Sequence, residues 1–370
     1  MSTASTIPLW GQAWELTITY AARPTLDSSG PTASNATTST VVSTNSWEPE
    51  ALKITFEVLQ STISSPWWYA DITIYNLDAS EIQNIIFNAT SVQLKAGFQV
   101  GPTQSAVIWD GPIFQVLYDQ ENVVDQRVTL HCVANPIVMQ DGVVAFSLGR
   151  FASQAQLLAK AAGAINLPPV NTATTNTNGT SLSPYAAQVL SAKQYPRGNT
   201  VFGKVGGFFS QIADDQQLQT FRDSQQAYMT QFGTPGGPVP PADFIYGPPN
   251  PPNTTLALPP GTTQSIIGTP RQTPQGVIFT VLLDPRLKVQ IQPHVQVVQL
   301  VRTLPSQLAQ QPDPNGGYVT PLNTNLTFFV GQVRHVGDSR GNDWYTEVTG
   351  YNTTYGTNLL NGVFNASSTT

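Results

Sequence analysis

The chain has 370 residues, of which 16 are basic and 22 acidic, so its formal net charge is −6. Charged residues make up 10% of the sequence, against roughly 25% in ordinary soluble proteins. The scarcity of lysine and the lack of any basic run argue against a protein that holds nucleic acid through phosphate contacts. A single cysteine excludes an internal disulfide framework and a Cys-rich zinc site. At roughly 150 residues per domain, this length predicts two or three domains.

Residues 1–148 are predicted to form a β domain. Alternation of apolar and polar side chains predicts strands over residues 13–20, 52–60, 69–77, 91–100, 107–118 and 126–134. Residues 79–89 fit a short helix or a turn. Residues 22–45 are rich in Thr, Ser and Asn, so an exposed loop is expected there. Several strands at this spacing are typical of a sandwich or barrel.

Residues 149–264 differ in composition and are predicted to form a small helix-containing central domain. The Ala-rich segment 149–164 predicts the longest helix, and residues 206–213 predict a second, shorter one. Residues 217–221 and 226–231 fit a small strand pair. The Pro-rich stretch 234–261 is expected to be an ordered loop or linker.

Residues 265–370 return to the β pattern and are predicted to form a second β domain. Strands are expected over residues 276–283, 289–301, 327–336 and 344–351, and residues 337–342 have the composition of a hairpin turn. No internal repeat is visible in the sequence. The predicted fold is therefore mainly β with a small α+β part.

No group of residues predicts catalysis, a bound cofactor or a metal site. His131, His294 and His335 share no metal-ligand spacing, and no nucleophile elbow, phosphate loop or dinucleotide-binding motif occurs. The turn 337–343 lacks the spacing of a calcium loop and has Arg340 at its centre. We expect a structural turn in which Gly337 and Gly341 adopt positive φ, while Asp338 and Asp343 cap backbone N–H groups.

Two further features have competing interpretations. The cluster Trp67–Trp68–Tyr69 would be a glycan platform or an oligomer contact if it is exposed. At the start of a strand, it would instead fill the core and leave one aromatic side chain at an interface. Cys132 lies in an alternating run and is expected to be a buried structural thiol.

The order of several segments resembles that of the baseplate hub proteins of contractile-tailed bacteriophages and related contractile injection systems. The segments are LKITFEVL at 52–59, ADITIYNL at 70–77, LKAGF at 94–98, DGPIFQVLYD at 110–119, the connection 266–289 and the closing hairpin QVRHVGDSRGNDWYTEVTG at 332–350. Together they span about half of the chain, and the resemblance depends on their order and spacing rather than on any single segment. The stretches 22–45 and 234–261 are departures from this pattern.

The resemblance implies a structural protein without enzymatic activity, with two tube-protein-like β-barrel domains linked by a small central domain. The two β regions should then superpose as related barrels. Three copies would form a pseudo-six-fold ring that adapts the six-fold tail tube to the three-fold spike. The implied partners are other copies in a homotrimer, tail tube or tube-initiator proteins, the central spike and baseplate wedge proteins. Genomic DNA would pass through an acidic channel without specific binding.

The implied location is the virion tail baseplate, assembled in the host cytoplasm. Two alternatives remain at this point. One is a carbohydrate-binding tail adhesin that uses Trp67, Trp68 and Tyr69. The other is a cell-wall glycosidase or peptidase carried in a tail, which the scarcity of histidine and the lack of catalytic motifs disfavour.

Overall fold

A computed structural model describes residues 10–21, 25–27, 30–32, 38–44, 51–61, 68–100, 104–120, 125–134, 143–164, 181–182, 190–205, 208, 211–212, 215, 219–222, 227–230, 242–247, 260–273, 276–289, 294–297 and 327–352. The strands of the first part are β1 (Trp10–Tyr20), β2 (Thr25–Asp27), β3 (Gly30–Thr32), β4 (Thr38–Thr44), β5 (Ile54–Ser61), β6 (Tyr69–Tyr75), β7 (Ala89–Val100), β8 (Ala106–Gln120) and β9 (Gln126–Val133). Helix α1 (Ala79–Asn88) lies between β6 and β7.

The middle part contains β10 (Val143–Leu148), β11 (Ala152–Ser153), α2 (Gln154–Ala164), β12 (Ser181–Leu182), β13 (Gln194–Tyr195), β14 (Asn199–Lys204), β15 (Gln219–Arg222), β16 (Ala227–Thr230) and β17 (Phe244–Gly247). The last part contains β18 (Thr262–Gln264), β19 (Ile266–Thr273), β20 (Gly276–Leu282), β21 (His294–Val297), β22 (Thr327–Asp338) and β23 (Trp344–Asn352). The predicted mainly β fold is confirmed.

Strands from both ends of the chain share one 14-stranded sheet. Its main path runs β18-β17-β21-β22-β5-β6-β9-β8-β7-β1-β4, and β19, β20 and β23 branch from β22. One hydrophobic cluster contains buried residues from both β regions, Ile54 and Leu130 from the first and Val330 and Val348 from the last. Alternate residues are buried in β5, β6 and the later part of β22, so each of these strands directs one face into this core.

A second hydrophobic cluster lies in the middle part. Leu157, Leu158 and Ala161 of α2 pack there with Val144 of β10 and Val201 of β14. Strands β10 and β14 form an antiparallel pair, and β15 pairs with β16 as predicted. Position 144 precedes the predicted domain boundary at 148, yet its side chain belongs to this second cluster. The division into 1–148, 149–264 and 265–370 stays a prediction.

Three segment predictions need correction. The supposed loop 22–45 contains strands, and β4 pairs with β1 because its β-branched residues suit a strand at the sheet edge despite their polarity. The Pro-rich stretch contains β17, which pairs in parallel with β18 and β21. The helix predicted over 149–164 begins only at Gln154, since Ala152 and Ser153 pair with β13.

Other segments agree with the prediction where the structure describes them. Helix α1 settles the choice at 79–89, with Asp78 as its N-cap accepting from the Ser80 amide. Positions 208, 211 and 212 are helical, while the rest of the predicted second helix and most of the predicted strand 289–301 lie outside the described residues. Within the described part of the chain, no helix is long and apolar enough to cross a membrane.

Candidate assembly interface

Five strands of the first β region and five of the last follow the same order in the sheet. The first set is β5-β6-β9-β8-β7 and the second is β19-β20-β23-β22-β21. All neighbours within both sets are antiparallel. The sets differ in their next strand, because β1 is antiparallel to β7 whereas β17 is parallel to β21. The chain therefore contains a structural repeat of five strands.

The residue register supports this equivalence independently. The pairing of β8 with β9 shifts between Ile113 and Gln115, and that of β22 with β23 shifts between Val330 and Gln332. A bulge inserts one residue into a strand, so a bulge at the same place in both sets aligns them residue by residue. Phe114 and Gly331 are then equivalent positions.

One row of paired residues can be followed across each repeat from this bulge. In the first repeat, the row runs Gln115, His131, Asp71 and Glu57. In the second, it runs Gln332, Thr349, Ile278 and Arg271. The two rows share almost no chemistry, which explains why the sequence shows no repeat.

The two repeats are joined edge to edge by the pairing of β22 with β5. This antiparallel register extends from Gln332 opposite Ser61 to Asp338 opposite Thr55. On the core side, Phe56 meets Trp344 edge-to-face with 5.3 Å between ring centroids. Gly337 leaves the space for the Phe56 ring, since a Cβ added there would lie 2.3 Å from Phe56 Cζ. We call this pairing the internal junction.

Charged side chains bridge the outer face of the internal junction. Arg334 Nε and Nη2 donate to the two carboxylate oxygens of Glu57 at 2.8 and 3.0 Å, and Nη1 donates to Glu347 Oε2 at 2.9 Å. The hydrogen bonds from Arg334 lower the pKa of Glu57 despite the opposing effect of partial burial. The Tyr69 hydroxyl also donates to Glu57. One guanidinium therefore links three strands across the seam.

A buried polar network lies near the internal junction. Asp284 is fully buried and accepts hydrogen bonds from Arg286 Nη2 at 2.6 Å and from the Tyr246 hydroxyl at 2.8 Å. The Asp284 amide donates to Thr346 Oγ1, which lies 2.9 Å from Nδ1 of the buried His335. Burial lowers the pKa of His335 from 6.5 to about 4. Apart from Nε2 of His335, which has no hydrogen-bond partner among the described residues, these groups satisfy one another inside the core, which is a structural role.

Besides β4 and β18, which end the main path of the sheet, the later part of β8 and strand β19 each have an edge without a neighbour among the described strands. From Ile113 onward, β8 pairs with β9 on one side only, because its pairing with β7 ends at Pro112. Strand β19 pairs only with β20. The β8 edge carries exposed Phe114, Leu117 and Tyr118. We call these the β8 edge and the β19 edge.

The three histidines are not brought together. His131 Nδ1 lies 2.6 Å from Asp71, His294 Nδ1 lies 3.5 Å from Asp243, and His335 is buried elsewhere. Across the described residues, no three His, Cys, Asp or Glu side chains form a group that could hold a metal ion. Cys132 is buried as predicted, and burial raises the pKa of its thiol.

The turn 337–343 is held by Asp338, but the role predicted for its glycines was wrong. Asp338 Oδ1 accepts from the Arg340 amide at 2.9 Å, as expected for a capping carboxylate. Neither Gly337 nor Gly341 has positive φ. Gly337 is required for space against Phe56, and a Cβ at Gly341 would lie 2.7 Å from Asp338 Oδ2.

The aromatic cluster divides between core and junction. Trp68 is buried, and its Nε1 donates to the Ser61 carbonyl at 3.0 Å. Tyr69 is half-buried beside Glu57, and Trp67 lies outside the described residues. Trp68 therefore cannot stack on a sugar, which removes the centre of the glycan platform.

Sequence reasoning missed the residues of both edges and of the internal junction. Strand pairing between segments hundreds of residues apart leaves no local pattern. The usable signal was the run from Phe114 to Tyr118, where apolar residues fall on both faces of a strand.

No known family and no curated protein sequence matches the chain. Among solved structures, it is similar to a tail protein from Neisseria meningitidis MC58, with 10% identity, a TM-score of 0.45, and coverage of 93% of this chain and 97% of that one. It is also similar to the 43 kDa tail protein of prophage MuSo2 from Shewanella oneidensis, with 6% identity, a TM-score of 0.47, and coverage of 93% and 99%. A third is the E. coli c3393 protein, a component of the type VI secretion system, with 10% identity, a TM-score of 0.42, and coverage of 83% and 75%.

Proposed function

We propose that the protein is a structural baseplate hub of a contractile phage tail. Three copies form a ring that adapts the six-fold tail tube to the three-fold spike and leaves a channel for DNA. The observation that carries the proposal is the repeat of five strands joined edge to edge at the internal junction. Two repeats per chain give six similar units in a trimer, which is what a component between six-fold and three-fold partners requires.

The composition supports a permanent assembly. Interface cores are depleted of Lys and Glu, and this chain has only 10% charged residues. The proposed partners are the tail tube or its initiator, the central spike and baseplate wedge proteins, and the proposed location is the virion tail, assembled in the host cytoplasm. No enzymatic activity is part of the proposal.

The pairing of three arginines with carboxylates supports passage of DNA without specific binding. Arg127 pairs with Asp119, Arg286 with Asp284, and Arg334 with two glutamates. An arginine neutralised by a carboxylate attracts phosphate less than a free one, so a wall bearing these pairs would not trap DNA. We expect the channel of the assembled ring to be net negative, with few aromatic side chains.

The test is the mass of the purified protein, alone and mixed with its spike. Light scattering on a size-exclusion column should give three times the chain mass of 39.9 kDa. A protein that stays monomeric at every concentration, with spike present, would contradict the hub. Glycan binding without assembly would instead favour the adhesin, a function for which the buried Trp68 gives no support.

A further inference from the structure

We propose that the β8 edge of one chain pairs in an antiparallel register with the β19 edge of a second copy, placing Asp119 opposite Arg271. This inference rests on the proposed ring and names the contact that builds it. It follows from the repeat, because the internal junction already shows how one repeat receives the next.

The register follows from equivalent residues. At the internal junction, Val336 lies opposite Glu57, and Arg334 lies opposite Leu59. Counting from the shared bulge, Val336 is equivalent to Asp119 and Arg334 to Leu117.

The other side of the contact is read from the paired rows. Glu57 is equivalent to Arg271, and Leu59, which pairs with Tyr69, is equivalent to Thr273, which pairs with Gly276. The same contact between two chains therefore places Asp119 opposite Arg271, and Leu117 opposite Thr273.

The charges at this register are complementary. Arg271 is exposed and forms no ion pair with any described residue. Asp119 is exposed, and its hydrogen bond with Arg127 lowers the pKa of its carboxyl, which therefore stays ionised. At the internal junction one arginine lies between two carboxylates. At the proposed contact, one carboxylate would lie between Arg127 and Arg271.

The apolar side chains exposed at the β8 edge of a single chain indicate that another strand covers this edge in the assembly. Val333 and His335 lie on the core face of β22, where β5 continues the sheet beside them, and both are 0% exposed. The equivalent residues in β8 are Val116 and Tyr118, and Tyr118 is 48% exposed. A strand added at this edge would bury both, as β5 does at the internal junction. An apolar strand edge left open is otherwise a site of uncontrolled association.

Each chain has one β8 edge and one β19 edge, which is what a ring of identical chains requires. The β8 edge and the β19 edge are different surfaces, so their contact is head-to-tail. Such a contact closes into a ring of three chains if its rotation and that of the internal junction together amount to one third of a turn. The internal and intermolecular contacts then alternate around the ring.

Thiol cross-linking between two singly substituted proteins tests the register. We would co-express Leu117→Cys and Thr273→Cys chains, so that both enter the same assemblies, and apply mild oxidation, because directly opposed strand residues have Cβ atoms about 4.5–5.5 Å apart. A covalent dimer should form in the co-expressed sample and in neither protein alone. The matched control co-expresses Leu117→Cys with Phe202→Cys, an exposed residue of the middle part, and should give no dimer. The native Cys132 is buried in every sample.

A charge reversal tests the electrostatic part of the contact. Arg271→Glu should weaken self-association about 5-fold or more, because it places two carboxylates opposite each other. Lys204→Glu makes the same change at an exposed residue away from both edges and should leave association unchanged.

The outcomes separate this contact from the proposed function. If the Leu117→Cys and Thr273→Cys chains give no covalent dimer above the control level, the edge pairing is overturned, whatever the mass of the protein. A trimer without this cross-link overturns the pairing and leaves the hub standing. Cross-linked open chains longer than a trimer support the pairing and contradict the three-subunit ring.

Discussion

Acid should destabilise this fold through one buried histidine. His335 is neutral in the folded protein, with its pKa lowered to about 4 by burial, while an unfolded chain has the ordinary value of 6.5. The buried negative charge of Asp284 opposes this lowering, and Lys288 adds to it. Below the ordinary pKa the unfolded state binds a proton that the folded state does not, so stability falls as pH falls from 6.5 toward 4.

The size of the effect follows from the shift. One pKa unit corresponds to about 1.4 kcal/mol, so between about pH 7.5 and about pH 5 the protein should lose about 2 kcal/mol through His335. Glu57 loses its stabilising contribution only at lower pH, since its pKa is lowered below its usual value of 4.5. The window from about pH 7 to about pH 5 therefore separates the contribution of His335 from that of Glu57.

Urea unfolding followed by tryptophan fluorescence measures this loss. The control is His335→Gln, whose amide can accept from the Thr346 hydroxyl but does not titrate. This variant should be less stable at neutral pH, and its stability should vary less between about pH 7 and about pH 5. An equal loss in the wild type and the variant would refute the assignment.

Further substitutions test the roles assigned to the core residue Trp68, to the two glycines of the turn and to Arg334 at the internal junction. Trp68→Ala should lower the free energy of unfolding by about 3–5 kcal/mol, and glycan binding that is lost without this destabilisation would contradict the core role. Gly337→Val should cost about 1–3 kcal/mol by overpacking against Phe56, and Gly341→Val should cost less because the Asp338 carboxylate can move; thermal denaturation ranks the two. Chelators should leave both melting temperatures unchanged. Arg334→Ala should raise the pKa of Glu57 and cost about 1 kcal/mol at this half-exposed site, and an NMR titration in which the Glu57 pKa stays low would contradict the role of Arg334.

The sequence predicted strands correctly where alternate residues are both apolar and buried. It missed strands that lack this pattern. In β5 and β6, every second residue is buried, so the local pattern carries the information. Strand β4 lies at the sheet edge, and its only apolar residues, Val41 and Val42, are adjacent, so its sequence shows no alternation. The mainly β class could be predicted because several of its strands show the same alternation as β5.

The candidate interface could not be predicted from local sequence patterns, because its residues are far apart in the chain. Glu57 and Arg334 are 277 positions apart, and nothing near either residue specifies the other. The equivalent rows from Glu57 and from Arg271 differ in nearly every side chain, so only backbone register reveals their relation. Gly337 was singled out correctly, but the reason lies in Phe56, a residue contributed by the other repeat.

The internal junction also sets the order of events during synthesis. Because β5 emerges early and pairs with β22 only after some 277 further positions, its outer edge stays unpaired through most of translation. Pairings between such distant segments form slowly, since a long loop must close before they stabilise the chain. A nascent chain therefore displays one more open edge than the folded protein, and that edge is of the same kind as β19. In the proposed ring, late closure would delay assembly until both repeats are complete, and a chain stopped before β22 would offer its neighbours the wrong edge.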